Sequence, residues 1–79
     1  QKKNDQEVEM NLKNVLLLNP KNDEAIYMLT LLRIKQSDYH EAKELIKKFN
    51  LVCNSFCSKS DEMQEKFEKL IPKDAKNKN

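Results

Sequence analysis

Glycine and tryptophan are absent from these 79 residues, and only two prolines interrupt the chain. Without glycine, a phosphate-cradling loop of the glycine-rich kind cannot form. With so few breakers and an abundance of Lys, Glu and Leu, the composition favours helix over sheet. Arginine is nearly absent as well: of 15 basic residues all but Arg33 are lysine, and the formal charge is only +2. Phosphate and base-edge readers rely on arginine forks, so this balance argues against nucleic acid as a partner. Long apolar runs are missing too. The run at residues 15–18 is far short of the ~20 residues that cross a bilayer, and no signal-peptide or lipidation pattern is visible in these residues. Histidine occurs once, at His40, and cysteine twice, at Cys53 and Cys57.

What is present fits one small helical domain, or a piece of a larger one. Gln1 in place of an initiating methionine points to a fragment or a processed product. A core this small supplies only a few kcal/mol of net stability, so stacking on more of the same or on a partner would help it. The cysteines are read as free, buried thiols of a reducing compartment, which places the chain inside the cell, in the cytoplasm. In a helix their i, i+4 spacing would put them on one face, which leaves a disulfide open.

The helical pattern runs through the whole chain. In residues 1–18, Val8, Leu12, Val15 and Leu16 form one apolar stripe beside Met10 and Leu17, after four polar residues expected to fray. Asn19-Pro20 ends that helix. Asn22 or Asp23 caps the next, with Glu24 near its positive end, and it runs to about Lys35. Ala25, Ile26, Leu29, Leu32 and Arg33 lie along the side facing its partners. Gln36, Ser37 and Asp38 form a turn in which Ser37 or Asp38 caps a third helix over residues 39–50. There Ala42, Leu45, Ile46 and Phe49 recur at i, i+3, i+4 and i+7. Residues 51–59 either extend that helix or break it near Asn54-Ser55. A fourth helix, capped by Ser58 or Ser60, carries Met63, Phe67, Leu70 and Ile71 on one stripe and ends at Pro72. Residues 73–79, KDAKNKN, form a polar lysine-bearing tail expected to be disordered.

Two apolar segments joined by KQSDYHEA carry a resemblance. Ile26-x2-Leu29-Thr30-x2-Arg33 and Ala42-x3-Ile46 occupy the helix slots of the tetratricopeptide repeat (TPR), and the turn between them is of the family's kind. The flanks keep register with its ~34-residue period: Val8-x3-Leu12 with Pro20 upstream, Met63 and Phe67 downstream. The departures are Ile26 for the signature tryptophan, Thr30 for the small residue and Arg33 for the tyrosine. Phe49 stands where alanine is usual, Asn54 where the closing proline falls, and Gln64 in the last helix's small-residue slot. The chain thus resembles this family over residues 8–67. The resemblance implies an all-α fold of antiparallel helix-turn-helix pairs, about four helices over residues 1–72, stacked in a right-handed superhelix. It implies a concave face built from the first helix of each repeat, which here offers Glu24, Tyr27, Leu31, Ile34 and Lys35 to a peptide or partner helix. Tyr27 is a rigid aromatic with a polar tip, and Leu31 with Ile34 makes an apolar groove.

No catalytic constellation is visible. His40 follows a turn on a polar face, and His40, Cys53 and Cys57 are too few and too irregularly spaced for a structural zinc site. No cofactor and no small-molecule ligand is expected, and the chain is not read as an enzyme. The reading is a protein-interaction or scaffolding module. The alternatives are an architectural segment permanently buried in a multisubunit assembly, or a lysine-rich RNA-binding helical segment. The last is disfavoured because glutamates interrupt the lysines along the helix surfaces.

Overall fold

The computed structural model describes residues 2–70, with side chains described from Asn4 onward. It is all-α: four helices, α1 (Lys2–Leu18), α2 (Asp23–Lys35), α3 (Tyr39–Val52) and α4 (Ser60–Leu70), with one 3-10 turn at Cys57–Lys59 and no strand among the described residues. Ile71, Pro72 and the tail at 73–79 lie outside the described residues. Helix α1 begins at Lys2, so the helix reaches into the polar stretch expected to fray.

Helix α2 is the centre of the molecule. Its sequence, DEAIYMLTLLRIK, places apolar side chains around most of its circumference, as a helix flanked on several sides requires. It packs against α1, α3 and α4, and α4 also rests on α3. The shared core contains Ala25, Ile26, Leu29 and Leu32 of α2, Ala42, Leu45, Ile46 and Phe49 of α3, and Met63 and Phe67 of α4. Phe49, Ile26 and Met63 are fully enclosed, which contributes about 1.5–3 kcal/mol apiece before entropy is counted. Ala42, with no exposed surface, offers only a methyl group at the α2–α3 crossing, and a larger side chain there would overpack the site. Thr30 is enclosed too, and its hydroxyl donates to the Ile26 carbonyl at 2.7 Å, so the buried oxygen is satisfied within its own helix.

The caps follow from the sequence. Asn22 Oδ1 accepts the Ala25 N–H at 2.9 Å, and Asp38 Oδ1 accepts the Glu41 N–H at 3.2 Å. Helix α2 closes in a Schellman arrangement: the Ser37 N–H donates to the Ile34 carbonyl and the Asp38 N–H to the Arg33 carbonyl. The left-handed position of this motif, usually glycine, is held by Ser37 at φ 60°. Ser60 is no cap. It is the first residue of α4, and its hydroxyl donates to Asn50 Oδ1 at 2.7 Å.

Helix α1 runs antiparallel to α2, as its ion pairs record. Asp5 meets Lys35 at 3.1 Å near one end, and Glu9 meets Arg33 at 3.1 Å one turn further along. Arg33 is buried; it donates to Glu9 and to Gln36 Oε1, while its Nε has no partner among the described residues. The apolar stripe expected on α1 is covered only in part. Leu12 is buried and Leu16 half-buried, but Val8 and Val15 are exposed. A helix packed chiefly on one neighbour covers a narrower strip than its stripe is wide.

Candidate protein-docking groove

Helices α2 and α4 lie side by side, and i, i+3 and i+4 spacing brings one row of each to their shared edge. Leu31, Ile34 and Lys35 of α2 and Lys66 and Lys69 of α4 line an open groove of about 380 Å³ there. Leu31 and Ile34 are half-buried and form its floor; the lysines stand on its walls. Lys35 already has a counter-ion in Asp5. Lys66 and Lys69 make no salt bridge among the described residues. The groove therefore pairs an apolar floor with two lysines available to an anionic group.

The five residues expected on a concave face are separated by the structure. Leu31, Ile34 and Lys35 share the groove. Tyr27 lies one turn towards the start of α2 and serves the joint between helices: its hydroxyl donates to Glu62 Oε2 at 3.0 Å, and its ring packs on Phe56 with centroids 5.9 Å apart. Lys59 Nζ sits 6.0 Å from that ring's centroid, a cation–π contact. Burial first, then the hydrogen bond to the Glu62 carboxylate, pushes the Tyr27 phenol above its ordinary range. Glu24 is exposed and borders a shallow depression of about 180 Å³ between α1 and α2, with Leu12, Val15, Ala25 and Met28.

Residues the sequence did not mark as site residues build the joint beside the groove. Helix α3 ends at Val52, and residues 53–56 turn back before the 3-10 segment leads into α4. The N–H groups of Asn54, Ser55 and Phe56 all donate to Asp23 Oδ2, at 2.7, 2.7 and 2.8 Å. Those amides, Asn54 and Phe56 foremost, outweigh burial and hold the Asp23 carboxyl below the usual carboxylate range. Asp23 was a candidate cap for α2; Asn22 takes that role, which frees the Asp23 carboxylate for the joint.

The cysteines correct a second expectation. Cys53 and Cys57 are not free thiols but form a disulfide. Because α3 stops at Val52, the pair spans a turn, with Cys53 half-buried and Cys57 exposed. The cytoplasmic placement inferred from free thiols thereby loses that support. Elsewhere His40 is exposed, and no group of three or more His, Cys, Asp or Glu among the described residues is placed to hold a metal ion. No helix among the described residues is long and apolar enough to cross a membrane. No family model, curated protein or solved structure matches the chain.

Proposed function

We propose that this chain is a protein-interaction module that receives an amphipathic peptide or partner helix in the α2–α4 groove, with tetratricopeptide-like helix pairs as its scaffold. It acts by binding, without catalysis, cofactor or nucleic acid. The observation that carries the reading is the groove itself: Leu31 and Ile34 as floor, with Lys66 and Lys69 beside them. Such a surface suits a helix with apolar residues at i, i+3 and i+4 and carboxylates flanking them. The layering supports the scaffold: α1 on α2, α2 on α3, and α4 on both.

The test is titration of the labelled chain with two helical peptides of identical apolar pattern, one flanked by glutamate and one by lysine. The acidic peptide should shift the amide resonances of Leu31, Ile34, Lys66 and Lys69 and lose affinity in K66E/K69E. Equal binding of both peptides, or shifts confined to other faces, would remove the reading. Tyr27 is a poor site for this test, since its bonds to Glu62 and Phe56 make it part of the fold.

The second reading, a segment permanently buried in an assembly, is favoured by exposed apolar residues elsewhere. Met10, Leu17 and Leu18 on α1 and Leu51 on α3 are 63%, 78%, 89% and 86% exposed. Isolated exposed apolar residues are ordinary, so concentration decides. Self-association that L17K/L18K abolishes would favour the architectural role; a monomer at all concentrations favours the groove.

A further inference from the structure

We propose that the Cys53–Cys57 disulfide is a redox latch on α4: oxidised, it keeps residues 54–56 closed around Asp23; reduced, it lets that turn open and α4 loosen from the α2–α3 pair. Three consecutive amides converge on one carboxylate oxygen, at 2.7, 2.7 and 2.8 Å. Three neighbouring N–H groups point the same way only while the backbone between them is held in a tight turn, and the disulfide closes that turn at both ends. The turn also aims Phe56 at Tyr27, whose hydroxyl bonds Glu62 in the first turn of α4. The start of α4 is thus tied to α2 by this short closed loop and by the Tyr27–Glu62 bond beside it. Beyond it, α4 is anchored by the exposed Ser60–Asn50 hydrogen bond and by two fully or nearly buried side chains, Met63 and Phe67. An 11-residue helix is marginal without tertiary support, so release of the loop falls first on α4.

The chemistry is thiol–disulfide exchange with a dithiol. Cys57 is the exposed partner and Cys53 the half-buried one, so an incoming thiolate attacks the Cys57 sulfur. A bond forms between the two, the Cys53–Cys57 bond breaks, and its electron pair leaves on Cys53, which takes a proton from water. The second thiol of the reagent, deprotonated, then displaces Cys57. The chain gains two electrons and two protons, and the dithiol becomes a cyclic disulfide. Because α4 carries Lys66 and Lys69, the latch also sets the groove; that consequence alone rests on the docking reading, and the test below needs no ligand.

Hydrogen exchange of the full 79-residue chain, followed residue by residue before and after complete reduction with dithiothreitol, decides the matter. On reduction, protection at Asn54, Ser55 and Phe56 and at Met63 and Phe67 should fall ~10-fold or more, while Leu29 and Leu45 stay within ~2-fold. The C53S/C57S chain should exchange like the reduced protein and ignore the dithiol. The proposal is overturned if alkylation of the unreduced chain labels either cysteine. It is overturned equally if full reduction leaves residues 54–56 protected, or if all four helices lose protection together.

Discussion

The molecule makes two of its three helix connections by opposite means. Between α2 and α3 the chain turns within three residues, and every bond that fixes the turn is local: Ser37 to Ile34, Asp38 to Arg33, and Asp38 Oδ1 to Glu41. Between α3 and α4 the turn is longer and has few bonds of its own. Its shape depends on a carboxylate 31 to 33 positions earlier and on a covalent bridge. A local turn can form before the domain does. A turn built on Asp23 exists only once α2 and α3 have packed, so it closes late in folding and opens first under stress.

The change that should break this contrast most visibly is Asp23→Ala. It leaves three amides without their acceptor, and the expected fall in Tm is on the order of 10 °C. Asp23→Asn keeps an oxygen but loses the charge that strengthens these bonds, so about half that fall is expected. Thermal melts of both variants in oxidising buffer check the pair. If Asn and Ala melt alike, charge contributes nothing to the joint.

Acid should act on the same connection. The Asp23 carboxyl is held below its ordinary 3.8 by the loop amides, and the Arg33 guanidinium, with Lys13 behind it, holds Glu9 at about 2 against an ordinary 4.5. Both folded-state values lie below the unfolded ones. Their stabilisation is therefore fully present above about 4.5 and is lost as the pH falls towards the folded values. Between pH 5 and about 2, the protection of Asn54, Ser55 and Phe56 against exchange, relative to the intrinsic rate at each pH, should fall and the α1–α2 seam loosen. The Ser37 amide, bonded to a carbonyl, should hold longest. Glu9→Gln should flatten the acid side of the stability curve.

The same division governs how much was legible in the sequence. Helix α3 and its buried face, Ala42, Leu45, Ile46 and Phe49, follow from spacing alone, and so do Met63 and Phe67. Residue type beside an apolar run narrows each cap to two, Asn22 or Asp23 and Ser37 or Asp38, of which Asn22 and Asp38 accept the helix amides. The part Asp23 plays in the joint does not follow from residue type, because its partners lie two helices and a turn away and are backbone groups that carry no sequence signature. The sequence favours free thiols over the disulfide, since i, i+4 cysteines look the same in a continuous helix as across the break that forms after Val52. Of the candidate site, the apolar floor at Leu31 and Ile34 was implied by the resemblance to the tetratricopeptide repeat. Of its lysine walls, Lys35 was implied by the same resemblance, while Lys66 and Lys69 come from α4, whose approach to α2 depends on that same distant joint. Tyr27 had the chemistry of a surface anchor; only the position of Glu62 and Phe56 shows that its polar tip and its face are both engaged.

The smallest effects belong to the local turn and sharpen the contrast from its other side. Asp38→Ala removes the cap of α3 and should cost about 1 kcal/mol, with no change in exchange at residues 54–56 beyond the global shift. Ser37→Gly should run the other way. Ser37 sits at φ 60°, where a Cβ crowds the backbone and a non-glycine residue is disfavoured by about 1 kcal/mol. Glycine adopts that conformation freely but gains entropy in the unfolded chain, so the net stabilisation expected is about 0.5 kcal/mol. Ser37 is exposed, and the motif's bonds run through its backbone, so nothing else is lost in the exchange. A denaturant melt with unchanged slope and a higher midpoint checks it. A lower midpoint would mean that the serine side chain supports the turn. The two connections would then differ less than their bonds indicate, since the first would also depend on a side chain that a sequence pattern does not reveal.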